Sequence, residues 1–292
     1  DNAVERGLEI AGPKLAGFVK QARQWADGTP IYMYCWRGGM RSGSMAWLFR
    51  TAGLTTYLLS GGYKAYRNSF AQLLEAHPWQ LLILGGPTGC GKTEVLHQLQ
   101  RMEQQVIDLE GLAHHKGSAF GSLGETAQPT TEQFTNQLHA LMRTFNPARP
   151  VWCEGESASI GKVVIPSAFY ALMLSAPFLN LEIPYQERIR HIMNDYGTFQ
   201  PDELILSFRK IEKRLGGEAT RKAIECVEQN NLESAVCIAL NYYDKGYRRS
   251  SGKQWPNQIP CLWEDSDPAV IARKLLALYE NGCNVGTEQV QQ

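Results

Sequence analysis

The chain has 292 residues, enough for two domains that each bury a core, and an ordinary hydrophobic fraction of 43%. Its 29 Lys plus Arg offset 29 Asp plus Glu, which excludes a global basic field, so a polyanionic partner has to be held by local patches. No charged-then-apolar leader or bilayer-length apolar run is visible, and the 7 cysteines are scattered and odd in number; this excludes a disulfide framework or paired zinc site and predicts a reducing, cytoplasmic setting with no membrane partner.

In chain order, GPKLAGFVKQARQWADGTP (12–30) predicts an amphipathic helix closed by a Gly and Pro turn, followed by the strand IYMYC (31–35). A glycine-rich loop and a helix through SGSMAWLFRTAG (42–53) come next, then a strand, a Gly-Gly turn and a helix in TTYLLSGGYKAYRNSF (55–70). Alternation of this kind predicts a parallel doubly wound unit over 1–76. Only thirty-four residues precede Cys35, so the first strands of such a domain are expected to be missing, and the chain reads as a fragment or an atypical start. EAHPW (75–79) marks a boundary. A second α/β domain is expected over 79–283, with strands in QLLILG, QQVIDLE, PVWCEGE and FLNLEIP and a helical insertion at about 201–248. The helical segments are DELILSFRKIEKRLGG, EATRKAIECVEQNN and LESAVCIALNYYDKGY. A last strand in PCLW (260–263), a last helix in DPAVIARKLLALYEN (267–281) and a frayed tail from residue 282 complete the pattern.

GPTGCGKT (86–93) follows an apolar strand and opens a helix, which is the context a phosphate-binding P-loop needs. Gly86, Thr88, Gly89, Cys90 and Gly91 supply backbone N–H groups around one concavity, and the helix start adds positive potential. Lys92 brings a full charge to terminal phosphate oxygens, and Thr93 is a candidate Mg²⁺ ligand. Companion acids belong at the carboxyl ends of neighbouring strands, where Asp108, Glu110, Glu154 and Glu156 fall. One of the last two is a candidate for holding metal-bound water, and each acid is equally well read as a helix cap or surface charge. HHKGSAFG (114–121) is a polar loop suited to an anion, or a plain surface loop.

CWRGGMRS (35–42) puts Cys35 at a strand end, with Arg37 and Arg41 in the loop and Ser42 opening the helix. Loop N–H groups, the helix dipole and guanidinium charge all favour the thiolate. Two chemistries fit this spacing: chalcogen transfer through Cys–S–S⁻ or Cys–S–Se⁻, and phosphate-ester hydrolysis through phosphocysteine. Nothing upstream marks the general acid that a phosphatase needs. Most of the other cysteines read as small core residues.

At these residues the chain resembles the bacterial tRNA 2-selenouridine synthase family, in which a rhodanese-like domain is fused to a P-loop domain. CWRGGMRS, LSGGYKAYR, GGPTGCGKTEVL, DLEGLAHHKGSAFG, CEGESASIGKVVIP and NYYDKGY carry the resemblance, in family order, from about residue 30 to about 275. The family's upstream Asp-Val-Arg-type segment is not visible here. The resemblance implies a partial rhodanese-like parallel-sheet domain followed by a P-loop NTPase-like α/β domain with a helical C-terminal segment. It implies a transferase acting on wobble 2-thiouridine in the Lys, Glu and Gln acceptor tRNAs. Geranyl diphosphate alkylates the sulfur to S-geranyl-2-thiouridine, and selenophosphate, from a partner enzyme that supplies it, then delivers selenium. On this resemblance the loop at 86–93 takes geranyl diphosphate, while Cys35, with Arg37 and Arg41, handles selenium.

Two basic runs, 209–222 and 241–253, are candidate RNA surfaces, the second interleaving Tyr242, Tyr243 and Tyr247 with Lys245, Arg248, Arg249 and Lys253. Such a run is also an ordinary solvated helix face. Arg188 and Arg190 are placed, by analogy with P-loop kinases, as a lid over the diphosphate. Three rivals remain: a P-loop kinase or nucleotidase with a rhodanese appendage, which would turn over ATP without tRNA; a non-catalytic selenium carrier, which would take up selenium without modifying tRNA; and a cysteine phosphatase, which would hydrolyse an aryl phosphate through Cys35.

Overall fold

The computed structural model describes residues 2–255 and 258–280, without the side chains of 250–253. The side chain of Lys253, Cys283 with the end of the expected second domain, and the tail from 282 therefore lie outside the described residues. Two compact units divide the chain, residues 1–76 and 77–292.

In the first unit, α1 (Asn2–Ala11) and a 3₁₀ turn (Gly12–Lys14) lead into α2 (Leu15–Ala26). α2 stops at Asp27, whose φ of 41° is left-handed. Strands β1 (Ile31–Met33) and β2 (Thr56–Leu58) pair in parallel with Ile31 opposite Thr56. α3 (Met40–Thr51) is the crossover between them, and α4 (Gly62–Glu75) follows β2. A small core of Ala22, Ala26, Ala46, Phe49 and Phe70 holds this partial parallel-sheet unit together. α1 lies outside the elements expected from the sequence; it buries no residue, and its apolar Val4, Leu8 and Ile10 are exposed.

The second unit begins with β3 (Leu81–Gly85), α5 (Lys92–Arg101), β4 (Gln105–Ile107), α6 (Leu109–Ala113) and α7 (Thr131–Met142). β5 (Val151–Glu154), a short hairpin of β6 (Ser159–Ile160) and β7 (Val163–Val164), α8 (Ser167–Ser175), β8 (Phe178–Glu182) and α9 (Tyr185–Tyr196) come next. The helical segment is α10 (Pro201–Lys210), α11 (Glu212–Leu215), α12 (Gly217–Glu228) and α13 (Leu232–Gln254). β9 (Gln258–Leu262) and α14 (Pro268–Glu280) close the unit.

The sheet order is β4-β5-β3-β8-β9, with every neighbouring pair parallel. Central strand β3 is buried on both faces, which is why it reads as an unbroken apolar run. Leu82 and Leu84 pack with Val95 and Leu99 of α5 and with Ile271 and Leu275 of α14, while Leu81 and Ile83 alternate to the other face. Strand order reverses at β3, so a crevice opens at its carboxyl end, where the P-loop lies. The expected elements are found with shifted bounds: the last strand starts at Gln258, the first insert helix breaks at Ile211, and α13 runs on to Gln254. No helix among the described residues is long and apolar enough to cross a membrane.

Candidate functional site

The cysteine loop is shaped from behind. Tyr63 and Lys64 donate their backbone N–H groups to the carbonyls of Cys35 and Trp36, at 3.0 and 2.9 Å. Gly62 makes this approach possible, since a Cβ there would collide with the Cys35 carbonyl and the Gly38 amide. With its carbonyls turned toward α4, the loop offers its amides to the sulfur. Gly39 N–H donates to Sγ at 3.3 Å and the Ser42 hydroxyl lies 3.2 Å from it. That hydroxyl also lies 3.2 Å from the Gly39 carbonyl, but an ionised sulfur is the stronger acceptor. The Ser42 hydroxyl and the Ser42 amide, joined by the amides of Gly39 and Arg37, bring the half-buried Cys35 thiol down to about 6 against the opposing effect of burial. Arg37 and Arg41 are exposed. The acidity of this thiol thus comes from Ser42 and the amides, and the guanidinium contribution expected from the sequence is not among its causes.

The lysine loop is shaped from the side by α9. Arg188 donates from Nε to the Thr88 carbonyl at 2.9 Å, and His191 Nδ1 lies 3.0 Å from the Gly89 carbonyl. Arg188 is itself held by Asp244 of α13 through two hydrogen bonds of 3.0 and 2.5 Å, in a nearly buried pair. Gly86 and Cys90 are buried and Thr88, Gly89 and Gly91 half-buried; the amides that open α5 at Lys92 and Thr93 have no intrahelical acceptor. Lys92 Nζ reaches back to the Gly86 carbonyl at 3.3 Å. Burial alone would lower the pKa of Lys92, but Cys90, Glu110 and Glu156 outweigh it and hold the ammonium firmly charged. The Cys90 side chain points into the hydrophobic core under the loop, and burial pushes its thiol up.

The acids separate by role. Asp108 caps α6, accepting from Gly111 N–H at 2.6 Å, and its other oxygen meets His97 at 3.1 Å. Glu154 is sealed in the interior, accepting from Leu109 N–H at 2.7 Å; burial, then Asp108 and Glu110, push its carboxyl well up. A sealed carboxyl cannot hold a metal-bound water, so that candidacy leaves Glu154 and rests on Glu156. Glu110 and Glu156 are hydrogen-bonded to each other beside Lys92, and burial raises both, to about 8 at Glu110. The loop 114–121 folds over this pair: Gly117, at φ 63°, sits where a Cβ would touch both carboxylates. Thr93 Oγ1 donates to Glu110 Oε2 at 3.3 Å. A hydroxyl and a carboxylate are hard oxygen donors of the kind Mg²⁺ takes. No group of three or more His, Cys, Asp or Glu among the described residues forms a metal cage.

Several expected contacts fall elsewhere. Arg188 and Arg190 do not form a lid: Arg188 is committed to Thr88 and Asp244, and Arg190 to Glu187 and Ser266. Tyr242, Tyr243 and Tyr247 are half-buried and do not form an exposed stacking platform. Tyr242 and Tyr243 pack on the core of the helical insert. Tyr243 Oη accepts from Ala119 N–H at 3.2 Å, Tyr247 Oη donates to Asn180 Oδ1 at 2.6 Å, and burial pushes both hydroxyls up to about 12. Arg248 and Arg249 are exposed. A polar cleft at Pro87 is walled by Asn180, Asp244, Tyr247 and Arg248, and an apolar cleft opens on the Thr88 side. The pinning residues His191, Asp244 and Asn180 were missed in the sequence.

A parallel sheet whose central strand runs into GPTGCGKT, with an unpaired helix start and a charged lysine, defines a P-loop α/β protein, here preceded by a unit that carries an acidic thiol. The family model of the tRNA 2-selenouridine synthase AAA domain matches residues 79–270. The tRNA 2-selenouridine synthase of Shewanella loihica is 34% identical over 87% of this chain and 77% of its own length, and that of Marinobacter nauticus 32% identical over 85% and 76%. The chain belongs to the tRNA 2-selenouridine synthase family. A solved shikimate kinase from Acinetobacter baumannii, in complex with shikimate, is similar at a TM-score of 0.31 and 16% identity over 72% of this chain and 99% of that one, too remote a likeness to bear on function.

Proposed function

We propose that this chain is a tRNA 2-selenouridine synthase, a transferase that replaces the sulfur of wobble 2-thiouridine in tRNA by selenium from a selenium-donor co-substrate. Family membership supports this. In its finer form the reading has two steps. The thiocarbonyl sulfur attacks the first carbon of geranyl diphosphate, diphosphate departs, and S-geranyl-2-thiouridine forms. The selenium of selenophosphate then adds at C2 of the base, the geranyl thiol leaves with a proton, and water cleaves the Se–P bond to release phosphate and 2-selenouridine. A thiocarbonyl is a poor leaving group, whereas its S-alkyl form departs as a thiol.

The diphosphate is assigned to the loop at 86–93, where Lys92 and the amides that open α5 meet its developing charge. Thr93 and Glu110 would hold Mg²⁺, which when bound would neutralise further charge on the diphosphate. Glu156 is the acid assigned to holding metal-bound water. Selenium transfer is assigned to Cys35, with Arg37 and Arg41 orienting selenophosphate. Arg248, which lines the polar cleft, and the exposed Arg249 are assigned to the phosphates of the Lys, Glu and Gln acceptor tRNAs. A selenophosphate-supplying enzyme and a cytoplasmic setting complete the reading.

The observation that carries the two-step form is the pairing on one chain of an acidic thiol in an amide-lined loop with a separate lysine-bearing phosphate cradle. The test is nucleoside analysis of thiolated tRNA incubated first with geranyl diphosphate and then with selenophosphate. S-geranyl-2-thiouridine should appear first and 2-selenouridine second. Turnover of ATP without tRNA, with neither nucleoside formed, would replace this reading by the kinase one.

A further inference from the structure

The cleft on the Thr88 side of the P-loop has no charged residue in its walls. Phe120, from the loop after α6, closes one side. Leu204 and Phe208 of α10 and Val236 and Leu240 of α13, all buried, form its depth. Tyr196 and Tyr243 also line it, but their hydroxyls are already engaged. Both bond the Ser118 hydroxyl, and Tyr243 also accepts from Ala119 N–H. What the two tyrosines offer the cleft is ring surface.

Such walls select their occupant. A nucleoside or other polyhydroxyl group would lose its hydrogen bonds to water and find none in return. A hydrocarbon chain loses nothing and gains burial. Thr88 belongs both to the phosphate cradle and to the cleft wall, so a molecule with a diphosphate at one end and an apolar chain at the other spans the two without a gap. The free volume is about 40 Å³, so side chains must shift to admit a chain, and each added isoprene unit has to find room between α10 and α13.

We propose that this cleft binds the hydrocarbon chain of the prenyl diphosphate, and that Phe208, Val236 and Leu240 set the chain length accepted. The proposal rests on the diphosphate reading of the P-loop. Calorimetric titration of the full chain with inorganic pyrophosphate, dimethylallyl, geranyl and farnesyl diphosphates separates the two. Five extra buried carbons should make geranyl diphosphate bind on the order of 10³-fold tighter than the dimethylallyl compound. Ala239 is a half-buried wall residue of α13. Ala239→Phe fills the cleft and should shrink that ratio to a few-fold while leaving pyrophosphate affinity unchanged. Phe208→Ala should raise farnesyl affinity roughly tenfold.

Equal affinity for the two shorter prenyl compounds in the natural protein overturns the cleft assignment while the P-loop reading stands. So does an unchanged ratio in a normally melting Ala239→Phe variant. Absence of pyrophosphate binding to the natural protein overturns the P-loop reading, and the chain assignment with it.

Discussion

The loops at 35–42 and 86–93 are built alike and tuned oppositely. Each follows a strand, holds a cysteine among glycines and opens a helix, and in each the carbonyls are pinned from outside so that amides face the site. The pins differ. Two backbone amides of α4 hold the carbonyls of Cys35 and Trp36, whereas side chains of α9, Arg188 and His191, hold those of Thr88 and Gly89. The cysteines diverge as well. Cys35 meets a hydroxyl and amides and is acidic, while Cys90 is sealed in the core and its thiol is pushed up. A shared loop shape therefore does not fix the chemistry; what the sulfur faces does.

The sharpest way to break the comparison is to disable one loop at a time. Cys35→Ala should cut selenium transfer by about 10³-fold or more while S-geranyl-2-thiouridine accumulates, because the loop loses the thiolate to which that step is assigned. Lys92→Ala should cut geranyl transfer by roughly 10²–10³-fold, the usual loss for one charge-stabilising donor. Nucleoside analysis reads both. If both variants failed at the same step, the division of labour between the loops would be wrong.

The next test probes the pins. Asp244→Ala leaves the buried Arg188 guanidinium unpaired, which typically costs about 3–5 kcal/mol. Thermal melting should show this loss, and pyrophosphate affinity should fall as the Thr88 carbonyl is released. Arg188→Met in the same chain should restore part of the stability, since the uncompensated charge is gone. The cysteine loop has backbone pins, so no single side chain there should have a comparable effect on its shape.

The acid pair sets a pH signature for the lysine loop alone. Glu110, raised to about 8, stays protonated in the native protein between pH 4.5 and 8 while the unfolded chain is ionised. The stability this contributes is full below pH 4.5 and is lost as pH rises through 8. Melting temperature should fall by roughly 3–6 °C from pH 6 to 9, about 1–2 kcal/mol. Glu156→Gln, which can donate to an ionised Glu110, should flatten that slope.

Legibility in the sequence followed contact distance. The strands of the sheet announced themselves as apolar runs, and both loops are contiguous motifs whose residue types state their chemistry. The pins were invisible because Arg188 reaches a carbonyl 100 residues away and a partner 56 residues away; read locally, it passed for a lid arginine. The tyrosines were misplaced for a different reason. Val236, Leu240, Tyr243 and Tyr247 recur at helical spacing, a core-facing stripe that was available in the sequence. Their interleaving with cations drew the reading outward, whereas burial of the stripe turned the rings inward.

The smallest effect is the most direct measure of how the two cysteines differ. Ser42→Ala removes the largest single contribution to the acidity of Cys35. Without that hydrogen bond to the thiolate, the thiol should move up from about 6 by roughly one pH unit. Alkylation by iodoacetamide tracks the thiolate. Its rate at pH 6.5 should fall about three-fold in the variant, and the difference should vanish by pH 9, where both thiols are ionised. Cys90 supplies the internal control, since its buried thiol should stay unlabelled in either protein until the chain is unfolded. An unchanged pH profile for Cys35 would mean that the loop amides alone set its acidity. The two loops would then differ only in whether the sulfur reaches solvent.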